Sequence, residues 1–563
     1  MICEMFFRDR SPNASRVCRS LVLGLVLSSV AVGGVYQDAD GWTNFDASPD
    51  TRIVYVSDSE GSDANSGLSD SDPVKSISAG ISKLRSGMPD WLLLKRGDTW
   101  TDQTLGYWSR QGGRSADEPM VISYYGDMDD PRPLLRTGGQ SGMKADGMSN
   151  ASSPNYRRID YMAIVGLHMT PHTYDGSKTD SWNLRPTGIR WFAGTEWALI
   201  EDCKLEGYGG DLTIQDGYGK AINNATVRRN VLVDAWASDP DPLSSRAAGL
   251  YADGVNGLLI EENFFDHNGW KDASGDTGPD IYSHNIYIQY ANQNCVVRDN
   301  ISARASSHGL QLRPGGIIDG NVFVGDSIAV INSNGDGDGG DNVTVDNVVV
   351  HGSRKYLDAA PSGHPGARGW GIDCTDQAGS EAIRNIVAHG EQGCHSALTS
   401  TSGVYLEENI VYDWGTSDPG PFPDPGRTIM SYDGLQGGDG TLDSFYAAMR
   451  DQRRGNWNPA YTAPEVVRYF QEGFGIIELP PPLPGDANGD GLVTDADYTI
   501  WADNYGAGGA TFAMGDFNDD GEVTDADYTI WADNYGYGVT AVPEPATMSL
   551  LGLGAVVLIR RRR

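Results

Sequence analysis

The chain has 563 residues, enough for more than one domain, and 76 Asp and Glu against 42 Lys and Arg give a formal net charge of −34. An acidic surface repels a polyanion, which excludes a nucleic-acid binder that works by neutralising phosphates. Apolar residues make up 39%, with 14 Trp, 26 Tyr and 13 Phe, so disorder throughout is excluded as well, and 72 Gly favour a β-rich chain with many turns.

Residues 1–35 read as a secretory signal. Arg16 and Arg19 precede the apolar run Leu21 to Leu27, and small residues at Ser28, Ser29, Ala31, Gly33 and Gly34 offer signal peptidase a cleavage site. The run is short for a membrane span. Export would leave Cys203, Cys295, Cys374 and Cys394, which form no CxxC or other metal spacing; one or two disulfides stay open, with no pairing indicated.

The next segment, 36–478, is expected to be one domain. From Val54 it reads VYVSDSEGSDANSGLSDSDPVKSISAGISKL, then DWLLLKRGDTW. Farther on, Asn recurs before an apolar residue at Asn230, Asn263, Asn300, Asn321, Asn347, Asn385 and Asn409, with spacings of 33, 37, 21, 26, 38 and 24. Short strands with a common corner residue and loops of varying length predict a parallel β-helix. In such a solenoid, Asn at one corner of each turn can stack into an amide ladder. The stretch from Val54 resembles the opening of right-handed parallel β-helix proteins of the pectate-lyase superfamily, where a capping helix shields the open end of the solenoid. SFYAAMRDQRRGNWNPAYTAPEVVRYFQEGFG, 444–475, has helical spacing and is expected to cover the C-terminal region.

Three turns can be stacked without gaps: GLYAD (249–253), NIYIQ (285–289) and GLQLR (309–313). Period two turns Leu250, Ile286 and Leu310 inward, together with Ala252, Ile288 and Leu312. Tyr251, Tyr287, Asp253 and Arg313 then face outward, and His284 and His308 meet at the strand entrance. The loop 266–283, with Lys271, could wall a cleft. A polysaccharide lyase acting on an acidic glycan needs a charge neutraliser, a base and an acid. Arg313 could neutralise, while Tyr251, Tyr287, His284 or His308 moves protons. A glycoside hydrolase needs two carboxylates flanking the bond. Asp253, in Tyr-Ala-Asp-Gly, and Ser307-His308-Gly309 resemble elements of polygalacturonases, but no second carboxylate is visible on the next turn. The lyase reading is taken first. A hydrolase or epimerase on the same fold, or a non-catalytic surface or adhesion protein, are the alternatives.

Leu479-Pro480-Pro481-Pro482-Leu483-Pro484 predicts a stiff linker. Residues 485–537 follow, of which 485–536 hold twelve Asp and Glu and no Lys or Arg, a local charge of −12. VTDADYTIWADNYG occurs twice, at 493–506 and 523–536. Each copy closes a loop with oxygen donors at alternate positions, Asp486, Asn488, Asp490 and Asp497 in the first, Asp516, Asn518, Asp520 and Asp527 in the second. Gly491 and Gly521 stand at the sharp turn. Hard oxygen donors at this spacing predict Ca²⁺, with the carbonyls of Leu492 and Glu522 and waters under Thr494 and Thr524 completing the shell. The pair resembles type I dockerin modules, which implies a small α-helical calcium-binding domain and raises a cohesin-like partner. Positions 10 and 11 are Asp495-Ala496 and Asp525-Ala526, not the hydroxyl pair often found there.

The chain closes, over 538–563, with Val542-Pro543-Glu544-Pro545, an apolar stretch Ala546 to Ile559, and four Arg. This order resembles the PEP-CTERM sorting signal of Gram-negative bacteria, which implies processing by an exosortase-type enzyme and a secreted or cell-surface protein.

Overall fold

The computed structural model describes residues 34–178, 184–238, 247–272, 277–332, 340–353, 369–374, 379–415, 426–476, 484–488, 492–508, 510–518 and 520–536. The expected signal, apart from its last two residues, most of the Pro-rich linker and the C-terminal sorting segment lie outside them. The chain divides into two units, 1–474 and 475–563.

The first unit is a parallel β-helix. Among the described residues, three sheets of 12, 11 and 10 strands take their strands in rotation, each turn adding one to each sheet. The first sheet starts at Ile53–Val56, the second at Thr99–Thr101 and the third at Gly106–Trp108. The three stacked turns have the register read from the sequence, Leu250 opposite Ile286 and Ile286 opposite Leu310. Their inward residues are fully buried. A solenoid holds its core in this way, each turn covering the apolar face of its neighbours.

Two sharp corners per turn shape the cross-section. Arg229, Glu262, Asp299, Asp346, Arg384 and Glu408 all have φ between 53° and 57°, and each precedes an Asn of the repeat. A left-handed conformation costs a non-glycine residue about 1–2 kcal/mol. The Asn stack offsets that cost. Asn230 Nδ2 donates to Asn263 Oδ1 at 2.9 Å, and the same bond, at 2.9–3.0 Å, links Asn263, Asn300, Asn321, Asn347, Asn385 and Asn409 in turn. All but the last of these side chains are buried. The expected amide ladder therefore runs through seven consecutive turns.

The N-terminal end is capped by the helix Ile77–Ser82, entered at Ser76, whose hydroxyl accepts from Ala79 N. Gly80 lets the helix close down: a Cβ there would lie 2.6 Å from Val56 and 2.8 Å from Leu92. The C-terminal helices correct an expectation. Ile429–Leu435, Leu442–Arg450 and Ala463–Gly473 do form, but they run back along the side of the solenoid beside the second sheet. Arg450 bridges Asp234 and Asp266, Arg132 donates to Gln452 O at 2.8 Å, and Gln471 reaches Asp346 at 2.8 Å. The corner residues Asp202, Asp234 and Asp346 offer carboxylates along this flank, and the basic helical segment meets them. The last strand of the first sheet, Tyr405–Glu407, is left exposed. The four cysteines are buried and free, so no disulfide forms among them.

Among its described residues the second unit carries two α-helices, Asp495–Asn504 and Asp525–Asn534. The repeats hold each other reciprocally. Trp501 Nε1 donates to Thr524 O and Trp531 Nε1 to Thr494 O, both at 3.0 Å. Tyr505 donates its hydroxyl to Asp525, and Tyr535 to Asp495.

Candidate functional site

The outer face of the third sheet carries a cavity of about 320 Å³, with Arg190, Thr213, Gln215, Tyr251, Tyr282 and Tyr287 among its walls. It exists because strands stack in register. Arg190 lies opposite Thr213, Thr213 opposite Tyr251, and Tyr251 opposite Tyr287, so one outward column runs across four turns. Beneath it the inward neighbours Leu212, Leu250 and Ile286 belong to the core.

Of the six residues singled out from the sequence, Tyr251 and Tyr287 line this cavity, and the other four adjoin them. The Tyr251 and Tyr287 rings are 5.4 Å apart, and the Tyr251 hydroxyl donates to Asp253 at 3.4 Å. The Arg313 guanidinium lies 5.5 Å from the Tyr287 ring centre. His284 stands 4.8 Å from the Tyr287 ring and 4.5 Å from His308. Strand alternation breaks to allow this. Asn285 and Ile286 are consecutive and both fully buried, which returns His284 and Tyr287 to the same face.

Depth separates the six into two groups. His284 and His308 are 3% and 6% exposed. Ser307 Oγ lies 2.8 Å from the Nδ1 of each, and the two Nδ1 atoms are 2.9 Å apart. The pair is thus locked behind Tyr287. Tyr251, Asp253 and Arg313 are half-buried, and of these Tyr251 lines the cavity.

Asp253 has one carboxylate oxygen that is buried without a hydrogen-bond partner. Burial raises its carboxyl above the usual range, and the nearby charge of Asp216 adds to the rise, while the Tyr251 hydroxyl opposes it. Asp216 is a carboxylate near Asp253 that the sequence reading did not single out. It comes from the preceding turn rather than the next one. Gln215 pairs with Asp253, Asp216 N donates to Asp253 O at 3.0 Å, and a Cβ on Gly254 would lie 2.7 Å from the Asp216 Cβ. The signal was present in the sequence: laying GDLTIQD (210–216) on AGLYADG (248–254) sets Asp216 opposite Gly254.

The loop 266–283 supplies Tyr282 to the cavity wall. Tyr282 N and the Ser283 hydroxyl both donate to Asp280, at 2.7 and 2.8 Å. Burial pushes Asp280 up to about 6. Lys271 turns away to lie 4.1 Å from the centre of the Trp236 ring.

In the second unit, Asp516 accepts from Asp520 N and Gly521 N, and Asn518 Nδ2 donates to Asp520 at 3.0 Å. Asp497 and Asp527 are fully buried and act as the third residue of a capping box, receiving Thr494 N and Thr524 N. Asp490 lies outside the described residues. Among those described, no group of three or more His, Cys, Asp and Glu is placed to hold a metal ion. The donor set of Asp516, Asn518, Asp520 and the Glu522 carbonyl has the hard-oxygen chemistry of a calcium loop.

Comparison with known proteins locates one element outright. Residues 541–563 match the PEP-CTERM protein-sorting motif. The motif marks an exported cell-surface protein of Gram-negative bacteria and implies exosortase processing. A lacto-N-biosidase of Bifidobacterium longum subsp. longum is 30% identical over 149 residues, 23% of this chain and 9% of that protein. The chain thus spans less than a tenth of the length of that relative. Among solved structures, a glycoside hydrolase aligns with 65% of this chain and 97% of its own at 7% identity and a TM-score of 0.37. A lacto-N-biosidase from Eubacterium ramulus aligns with 64% of this chain and 67% of its own at 15% identity and a TM-score of 0.31. An alginate lyase from Paenibacillus aligns with 66% of this chain and 98% of its own at 12% identity and a TM-score of 0.28.

Proposed function

We propose that this protein is an exported glycan-active enzyme whose substrate lies along the outer face of the third sheet, and that it cleaves a glycosidic bond by hydrolysis. The observation that carries this reading is the carboxylate pair on adjacent turns. Asp253 has a raised carboxyl and an unpartnered oxygen, and Asp216 supplies a second carboxylate one strand away. Adjacent strands are about 4.8 Å apart, a scale on which two carboxyl groups can flank one glycosidic bond. Asp253, whose carboxyl burial raises, is the group that donates a proton to the leaving oxygen. Asp216, exposed to solvent, attacks the anomeric carbon or draws a proton from water. Tyr251 orients Asp253, and the rings of Tyr251 and Tyr287 supply flat apolar surface for sugar rings. The buried pair His284 and His308 fixes Tyr287 from behind and acts as a positioning device. The similarity to a lacto-N-biosidase over 149 residues supports the same reading.

A lyase on an acidic glycan remains the second reading, favoured by Arg313 stacked beside Tyr287. One assay separates the two. Glycans are incubated with the full chain while absorbance at 235 nm and reducing ends are followed together. Hydrolysis raises reducing ends alone; a rise at 235 nm that survives Asp253→Asn would overturn the carboxylate mechanism.

The tandem loops of the second unit are proposed to bind Ca²⁺ through Asp486, Asn488, Asp490, Leu492, Thr494 and Asp497, and through Asp516, Asn518, Asp520, Glu522, Thr524 and Asp527. A cohesin-like partner gains no support from positions 10, since Asp495 and Asp525 already accept the hydroxyls of Tyr535 and Tyr505 within the module.

A further inference from the structure

Tyr282 reaches the cavity from a loop, not from a strand. Thr213, Tyr251 and Tyr287, which share the lining with it, are placed by the register of the third sheet. A loop side chain has no such template, so its position depends on how the loop is held.

Two consecutive serines of the next turn anchor the loop end. Ser306 Oγ accepts from Asp280 N at 2.7 Å and donates to Asp280 O at 2.8 Å. Ser307 Oγ lies 3.0 Å from Ile281 O and 2.8 Å from Ser283 O, and Ser307 N donates to Ser283 O as well. Both serines are fully buried. The start of the loop crosses over the same point. Gly269 has a φ of 97°, and a Cβ there would lie 2.5 Å from the Ser283 Cβ and 2.6 Å from the Ser306 Cβ, so the crossing requires glycine. Farther out, Lys271 N donates to Thr277 O at 2.8 Å and closes the neck of the loop.

These bonds hold the main chain of 280–283. Within that frame Asp280 shapes the turn at Tyr282. One of its oxygens accepts from Tyr282 N at 2.7 Å, and the other accepts the Ser283 hydroxyl at 2.8 Å. A carboxylate that accepts from the residue two positions on fixes the dihedrals between them. Asp280 thus sets the direction in which Tyr282 leaves the chain. A ring already held in place loses little freedom when a ligand docks on it. Its flat apolar face matches the apolar face of a pyranose.

We propose that Tyr282 is a binding residue that holds a sugar ring in the cavity together with Tyr251 and Tyr287, and that Asp280 is the positioning residue that aims it. This inference rests on the groove being a glycan site and names the loop residues that set affinity there.

The test is a double-mutant cycle on binding, with cleavage measured apart. Isothermal titration calorimetry uses the full chain carrying Asp253→Asn, with cellohexaose, xylohexaose, mannohexaose, chitohexaose and hexagalacturonate as probes. For a probe that binds, Tyr282→Ala should weaken affinity about tenfold, and Tyr282→Phe, which keeps the ring, by less than about twofold, the order for one aromatic contact. Asp280→Ala should weaken it about as much as Tyr282→Ala does. The two together should lose no more than Tyr282→Ala alone, because a positioning residue acts only through the group it aims. Asp280→Asn keeps an acceptor for Tyr282 N and should recover most of the loss. With Asp253 intact, Tyr282→Ala and Asp280→Ala should raise KM and leave kcat within about twofold, the pattern of lost uniform binding. Should Asp280→Ala not fold, Asp280→Glu takes its place in the cycle, since it moves the oxygens one methylene outward. Additive losses, affinity unmoved by Tyr282→Ala, or no binding of any probe would each overturn the assignment. The function fails separately: binding with the expected pattern, but no product from the chain with Asp253 intact, leaves the assignment standing and removes the hydrolase.

Discussion

Two polar regions of the same solenoid behave in opposite ways. At the corner between the first and second sheets, seven Asn side chains give each Nδ2 and Oδ1 a partner in the next turn or in the backbone. On the outer face of the third sheet, Asp253 keeps a buried oxygen with none. Both regions arise from the same device, an identical register position repeated turn after turn. In the first the residue type is constant, so the amides satisfy one another and the corner is purely structural. In the second the column changes from turn to turn, Asp146 to Phe192 to Gln215 to Asp253, so the groups cannot form a ladder. Constancy along a column builds the fold, and variation along a column sets the polar character of the proposed site.

The largest expected effect breaks the second half of that comparison. Asp253→Asn should lower kcat/KM on the cleaved glycan by about 10³-fold, within the range for losing a general acid, with the unfolding midpoint little changed. Since the Asp253 carboxyl must be protonated to act, activity should fall as pH rises through its raised value, and this alkaline limb should vanish in the residual activity of the variant.

Asp326 tests the cost of a buried carboxyl inside the solenoid. It is fully enclosed, accepts from Ala305 N and the Ser302 hydroxyl, and burial pushes it up to about 7. Its value is raised above that in the unfolded chain, so folding stability is full below the unfolded value near 4 and is lost as pH rises toward 7. The loss should approach about 4 kcal/mol, at 1.36 kcal/mol per unit. Denaturant titrations of Asp326→Asn at pH 4 and pH 7 should differ less than those of the parent chain; an unchanged difference would show that Asp326 does not titrate in this window.

Asn300→Ala sharpens the structural half. It removes the acceptor of Asn263 Nδ2 and N, and the donor to Asn321 Oδ1. Stability should drop by about 3 kcal/mol, on the scale of buried groups left unsatisfied, with groove binding retained. The smallest effect concerns the second unit. Tyr505→Phe and Tyr535→Phe each remove one hydroxyl bond to Asp525 or Asp495 and should cost about 0.5–1 kcal/mol of module stability. Calcium binding to the loops should persist in both and fail after Asp486→Ala with Asp516→Ala; calorimetric binding unaltered by that double change would refute the loop assignment.

Much of the solenoid was legible because it is repetitive. The Asn spacing names the ladder, and the ungapped stacking of three strands gives their register. The candidate site was legible only in part. Tyr251, Tyr287, His284, His308, Asp253 and Arg313 were found from column alignment of three turns, but Asp216 lies on a turn whose loop differs in length, so its column shows only after the earlier strands are aligned. The path of the C-terminal helices was not legible either. Their amphipathic pattern predicts burial, but which surface they cover depends on the Asp234, Asp266 and Asp346 carboxylates that the fold arrays along one flank.

The sequence by itself determined the parallel turns, the amide corner, the exact internal repeat of the second unit and the sorting motif, because each is written in local or periodic pattern. The tertiary structure alone decided which polar groups are satisfied. Burial and partner geometry are set by neighbours from other turns, and no spacing along the chain shows that His284 and His308 are locked inside while Asp253 has an oxygen to spare.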